Sequence, residues 1–439
     1  MAWWIKYLTN VPNSKIFCNT PWYELHIYWD GSLGICCQES HKLYNSGDYN
    51  IATMTIAEWF NSDPVKHFRQ QILGNSPVSA CSKCYHEEQS GGNSRRIRSN
   101  QKSVIFQQAF AESFEQSPGR KHFTESGITN THPIDIHIDL GNYCNLACKM
   151  CNAQASSAIA SQQVKWGIES SRQYLGNDWT RDDRVWDEFL QQLLDIPQLN
   201  NIHFMGGETL LSTRFEDLVD HLIAHNRLDV CFSFVTNGTT FKPKLMNKLK
   251  QFRRVGIEVS IETVDVHNVY QRQGTDMIQV MANLDQYLAL CNGSNITLTA
   301  RPAVSALTIG YFPGLLAYCL DRNLIIKSLL VSDPQFLDAV ILPDAVKQQY
   351  LKNYQTLVDR LNSIQVPIDY NASDPTNYAM IAKEEAQMCM NILSQPAPKN
   401  AEDLRRRMVE HCRKWDQVYG YDARVLYPEL AEMWTQYDY

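Results

Sequence analysis

No stretch of the 439 residues approaches the run of about 18 uninterrupted apolar residues that a bilayer-spanning helix needs. The opening Met1-Ala2-Trp3-Trp4-Ile5-Lys6 has no apolar core of signal-peptide length, so the expectation is a cytoplasmic chain without a membrane partner. Basic excess is missing too. Lys and Arg number 40 against 47 Asp and Glu, for a net charge of −7, and the densest basic clusters (Arg95-Arg96 with Arg98, and Arg405 to Arg407) are short and isolated. That argues against a nucleic-acid partner. The charge excess and apolar poverty of disordered chains are also lacking, at 20% charged and 44% hydrophobic residues, so the chain folds. We find no internal repeat.

Cysteine, by contrast, is plentiful. Thirteen is an odd number, which argues against a complete set of intramolecular disulfides. Clustered thiols in a reducing compartment point to metal.

The length calls for two or three domains. Cys18, Cys36, Cys37, Cys81 and Cys84 fall among turn-rich stretches such as Asp30-Gly31-Ser32, which predicts a small, loop-rich, metal-stapled domain over 1–100. A polar connector is expected over 101–131 after the break at Ser90-Gly91-Gly92-Asn93-Ser94. From 132 to 340, strand-like runs near 134–140, 202–206, 230–236, 257–262, 296–301 and 324–331 alternate with helical runs at 181–195, 214–227, 242–253, 276–291 and 311–322. Six βα units imply an α/β domain with a parallel sheet. Residues 341–439 read as a helical extension.

Helices cover the outside of a parallel barrel, so alternating strands must direct their polar residues inward. Ile134, Ile136, Ile138 and Leu140 then face helices while Asp135, His137 and Asp139 face inward. Ile257, Val259 and Ile261 likewise oppose Glu258, Ser260 and Glu262, and Ile296 and Leu298 oppose Thr297, Thr299 and Arg301. Such a lumen suits a ligand cavity; the alternative is an ordinary core carrying buried ion pairs.

Directly after the first strand comes Gly141-Asn142-Tyr143-Cys144-Asn145-Leu146-Ala147-Cys148-Lys149-Met150-Cys151. Ligands of parallel α/β sheets bind where this loop lies, at the carboxyl ends of strands. Thiolates suit soft metals, and three of them on a four-iron cluster leave one iron open. The alternatives are a zinc site with a fourth ligand nearby, or three core cysteines on one helical face.

At these residues the chain resembles the radical S-adenosylmethionine (SAM) superfamily, whose hallmark is C-x3-C-x2-C after the first strand of a partial (β/α)6 TIM-like barrel. The resemblance continues in Gly206-Gly207-Glu208, which implies contact with the amino group of SAM. It continues also in Thr236-Asn237 at the third strand end and in Ser260 and Glu262 near the ribose and carboxylate, with Arg272 a further candidate for the carboxylate. Two positions depart from the pattern: Met150 stands where an aromatic residue usually precedes the third cysteine, and Thr209 where proline often follows the glutamate. Cys18, Gly31 to Cys36, and Cys81-x2-Cys84 resemble the twitch and SPASM modules that hold auxiliary 4Fe-4S clusters, here ahead of the barrel. The spacing admits Cys37 in place of Cys36, and a four-cysteine zinc site in place of the cluster.

The resemblance implies a catalytic 4Fe-4S cluster on Cys144, Cys148 and Cys151, an auxiliary 4Fe-4S cluster, SAM as cosubstrate, and an electron donor such as flavodoxin or ferredoxin. Substrate contacts are expected from His137, Asp139, His203 and Arg301. A peptide or protein is the leading substrate class and oxidation the leading outcome. The competing readings are a sugar or other small metabolite, and a non-catalytic iron–sulfur or zinc scaffold.

Overall fold

The computed structural model describes residues 16–39, 48–89, 94–100, 126–129, 132–176, 178–362 and 378–439. Of the connector expected at 101–131, all but 126–129 lies outside the described residues. Strands in chain order are β1 (Glu24–Ile27), β2 (Leu33–Gly34), β3 (Asp135–Asp139), β4 (Ala147–Cys148), β5 (Asn201–Met205), β6 (Cys231–Thr236), β7 (Arg254–Val259), β8 (Arg272–Gln273), β9 (Ile296–Ala300), β10 (Ala303–Val304), β11 (Ile325–Ile326) and β12 (Leu329–Leu330). The main sheet runs β11-β9-β7-β6-β5-β3-β1-β2. Six of its strands therefore follow one another in chain order with helices between them, the α/β arrangement that the alternating pattern predicts. Among the described residues no helix is long and apolar enough to cross a membrane.

The chain divides into two compact units. The first holds 1–143, 173–233 and 251–253; the second holds 144–172, 234–250 and 254–439.

In the first unit β1 pairs antiparallel with β2 and parallel with β3, which in turn pairs parallel with β5. The sequence Glu24-Leu25-His26-Ile27 alternates as Asp135-Ile136-His137-Ile138-Asp139 does, and the register places His26 opposite His137 and His137 opposite His203. Side chains alternate faces along a strand, so Leu25, Ile27, Ile136, Ile138, Ile202 and Phe204 share the fully buried apolar face. Helix Asp183–Leu194 starts on Asp182, whose side chain accepts from Val185 N, and buries Val185, Trp186, Phe189, Leu190 and Leu193 at helical spacing.

In the second unit β7, β9 and β11 are parallel neighbours. Helix Met277–Cys291 is capped by Asp276, and the extension contributes Asp344–Asn362, Tyr378–Leu393 and Ala401–Tyr419, the last ending on Gly420 in the left-handed region.

Three boundaries differ from the sequence pattern. The strand expected at 257–262 forms at Arg254–Val259 and leaves Ser260 and Glu262 in the loop beyond it. The strand expected at 324–331 is two short pieces, with Ser328 between them hydrogen-bonded to Glu385 rather than to a strand. The helix expected at 242–253 ends at Leu249, because Arg253 N turns to Leu228 O ahead of β7.

Candidate metal centres

The three-cysteine loop leads off the second unit. Cys144 N is held by Ser157 Oγ at 3.1 Å, and Leu146 N points at Cys144 Sγ at 3.5 Å. Cys148 lies in β4, antiparallel to β8 and opposite Arg272, whose Nη1 donates to Cys148 Sγ at 3.5 Å. Cys151 closes a turn through its N to Cys148 O at 3.0 Å. None of the three is in a disulfide. Burial first, then the neighbouring Cys144, pushes Cys151 up to about 11; burial also raises Cys148, with Arg272 opposing it and Cys151 and Cys144 adding to it. These thiols share one space and repel one another as thiolates, a conflict that a bound soft cation removes.

Around them, Glu262 and Arg272 are paired by two hydrogen bonds, Nε to Oε2 at 2.5 Å and Nη2 to Oε1 at 2.6 Å, with the carboxylate fully buried. Glu262 Oε1 also accepts from Ala303 N. Thr236 O accepts from Ser260 N at 2.8 Å, and Asn237 Nδ2 donates to Asn145 Oδ1 at 2.8 Å, which ties the end of β6 to the cysteine loop. Met150 is half-buried. Arg301 pairs with Glu258 at 3.3 Å, both side chains half-buried.

Lys149, between two of the cysteines, drew no attention in the sequence. Its N donates to Gln271 O, and its buried ammonium lies 3.9 Å from the centre of the Tyr270 ring and 4.0 Å from that of Trp415. Trp415 belongs to Ala401–Tyr419, so the helical extension braces this loop. No sequence pattern joins residues that far apart.

In the first unit, Gly206 and Gly207 both have positive φ, and a Cβ at Gly207 would sit 2.3 Å from Tyr143 O, so only glycine lets the chain pass there. Glu208 N donates to Tyr143 O at 2.8 Å; its buried carboxylate caps the turn at Leu210 N. His137, Asp139 and His203 share the polar face of β3 and β5 with His26. The His137 and His203 ring centroids are 4.7 Å apart, His203 Nδ1 lies 2.7 Å from Ser233 Oγ, and His26 Nε2 lies 3.3 Å from Asp139 Oδ1.

Cys18, Cys36, Cys81 and Cys84 line one cavity in the same unit. Burial pushes Cys18 up to about 11 and Cys81 up to about 12, with Cys84 adding to both and Cys18 to Cys81. Cys37 lies apart from this cavity, in a group with Glu24 and His137 whose donor atoms all fall within 4.8 Å of one another. Neither cysteine set brings three donors that close among the described residues. Soft donors and their count, three in one place and four in the other, fit iron–sulfur clusters.

Residues 138–292 match the model of the radical SAM superfamily, and residues 18–85 match that of SPASM, an iron–sulfur cluster-binding domain. The chain is 26% identical over 183 residues to the radical SAM cyclopropyl synthase TigE of Paramaledivibacter caminithermalis, a match covering 40% of this chain and only 36% of that relative. Among solved structures, anSMEcpe with bound AdoMet aligns at 19% identity and a TM-score of 0.39, covering 53% of this chain and 63% of that one. SuiB of Streptococcus suis bound to its precursor peptide SuiA aligns at 15% and 0.36, covering 64% and 60%.

Proposed function

This chain belongs to the radical SAM superfamily, with an iron–sulfur module ahead of its barrel, and from that premise we propose that it oxidatively modifies a peptide or protein. The observation that carries the proposal is the pair of cysteine sets: three thiols that leave a cluster iron open, and four that close one. A four-iron cluster held by Cys144, Cys148 and Cys151 would, when reduced, supply the electron for reductive cleavage of SAM and so the radical chemistry that removes hydrogen from a substrate.

We assign the remaining roles to this chain's own residues. Cys144, Cys148 and Cys151 hold the catalytic cluster, and Cys18, Cys36, Cys81 and Cys84 the auxiliary one; Cys36 is preferred because Cys37 faces Glu24 and His137. In the second unit Met150, Thr236, Asn237 and Ser260 are the residues we assign to SAM binding, and in the first unit Gly206, Gly207 and Glu208 are the motif positions whose family role is contact with SAM's amino group. Glu262 orients Arg272, and Arg272 faces the cluster thiolates. His137, Asp139 and His203 offer a polar face that binds and orients substrate, whereas Arg301 is engaged by Glu258. A cluster on the four-cysteine set would accept the electron that the substrate still carries after hydrogen abstraction, and a flavodoxin or ferredoxin would supply the separate electron that SAM cleavage consumes. Peptide substrates are favoured by the SPASM-type module.

The test is anaerobic reconstitution, iron and sulfide quantification, and a dithionite-driven assay for 5′-deoxyadenosine. About eight irons per chain with SAM cleavage is expected. Deuterium transfer into 5′-deoxyadenosine from labelled peptides, and not from labelled sugars, supports the substrate class; the reverse overturns it.

A further inference from the structure

Two adjacent arginines line the four-cysteine cavity and differ in how they are engaged. Arg96 is committed: Nε and Nη2 donate to the two oxygens of Glu88, and Nη1 donates to Phe17 O at 2.8 Å. Arg95 is not. A single nitrogen, Nη2, meets both Glu24 Oε2 and His137 Nε2, the latter at 3.0 Å, while its buried Nε has no hydrogen-bond partner among the described residues. The guanidinium already supplies positive charge beside Glu24 and His137, so this group, with Cys37 nearby, reads better as an arginine site than as a metal site. Glu24 is itself buried, with a side chain 4% exposed, and His137 Nε2 lies 3.7 Å from its Oε1.

Adding an electron to a group already anionic through four thiolates is opposed by its own charge and favoured by a nearby cation. The effect is large where water is excluded. A carboxylate bound to that cation works against it. We propose that Arg95 sets the electron affinity of the auxiliary cluster, and that Glu24 limits how much of the arginine's charge the cluster feels. Arg95 is thus a positioning residue for electron acceptance, and the proposal rests on the reading of Cys18, Cys36, Cys81 and Cys84 as the ligands.

The experiment uses the full chain carrying Cys144→Ala, Cys148→Ala and Cys151→Ala, which leaves the auxiliary cluster as the only paramagnetic centre. It is titrated with dithionite and redox mediators while its reduced-state EPR signal is followed. Arg95→Gln is expected to lower the equilibrium constant for reduction by about tenfold, a midpoint about 59 mV more negative for a one-electron couple. Glu24→Gln is expected to move it the other way, and Arg95→Lys to fall between wild type and Arg95→Gln. Shifts of Arg95→Gln and Glu24→Gln in the same direction, or no shift beyond about twofold in either, overturn the inference. If Arg95→Gln does not retain iron, the sign of the Glu24→Gln shift decides alone. A parent protein without iron or EPR signal in the four-cysteine site defeats the ligand reading, and the inference with it, and so is distinguishable from a signal that fails to shift.

Discussion

The two cysteine sets use the same device in different degrees. Each places an arginine beside its thiols and a buried glutamate behind the arginine: Glu262 behind Arg272 at the three-cysteine loop, Glu24 behind Arg95 at the four-cysteine cavity. Arg272 donates two parallel hydrogen bonds to a carboxylate with no exposure, and a third onward to Cys148 Sγ. Arg95 shares one nitrogen between Glu24 and a histidine and keeps 23% of its side chain exposed. A bidentate pair fixes geometry, which suits the SAM-orienting role we propose for the three-cysteine set; a singly engaged arginine fixes charge more than geometry, which suits the electron-accepting role we propose for the four-cysteine set.

The largest effect that separates the two sets is on chemistry. Cys144→Ala with Cys148→Ala and Cys151→Ala is expected to abolish 5′-deoxyadenosine formation and remove about half the iron, whereas Cys81→Ala with Cys84→Ala removes the other half and leaves SAM cleavage. Full cleavage by the first variant would sink the assignment of the catalytic set.

Next in size is stability. Glu262→Gln leaves the Arg272 guanidinium buried against an uncharged partner, and loss of one member of such a pair costs roughly 3–5 kcal/mol. Glu24→Gln, whose arginine partner reaches solvent, should cost about 1–2 kcal/mol. Urea midpoints of the two variants measure the contrast, and equal losses would erase it. The bracing of the loop gives a third contrast. Trp415→Ala removes a fully buried side chain and one of the two rings flanking Lys149, at a cost of about 3–5 kcal/mol. It should deplete the three-cysteine iron selectively, while the four-cysteine EPR signal persists.

How much of this could be read from the sequence follows from the range of the interactions. The three cysteines, the GGE turn and the order of strands and helices depend on neighbours within about ten residues, and pattern shows them. Strand β1 was missed although Glu24-Leu25-His26-Ile27 alternates plainly, because four residues among cysteines and turns carry too little periodicity to outweigh their surroundings. Glu262 and Arg272 were each matched to SAM, but helix Val266–Gln271 reverses the chain between them and brings the two charges together. Arg95 looked like part of a short basic cluster, and its partners Glu24 and His137 are brought to it by the register of β1 and β3. Lys149 gave no signal at all, since its environment is made by Tyr270 and by a helix that begins at residue 401.

The smallest effect concerns how the second unit holds its extension, and it depends on pH. His267 is buried, with Nδ1 2.8 Å from Asp265 Oδ1 and Nε2 2.9 Å from Leu426 O. Both ring nitrogens face acceptors, so the doubly protonated ring satisfies both and the neutral ring only one. Burial works against the charge, but the bonds to Asp265 and to Leu426 outweigh it and raise the pKa above the ordinary histidine value. A group whose folded pKa lies above its unfolded one contributes stability that is complete below about pH 6.5 and lost as pH rises through the folded value. His267→Gln should therefore lower the urea midpoint at pH 6 by the equivalent of about 1 kcal/mol, with the gap to wild type narrowing as the pH rises through that folded value. A gap that widens with pH would show that the ring is held neutral and that Leu426 is anchored by packing alone.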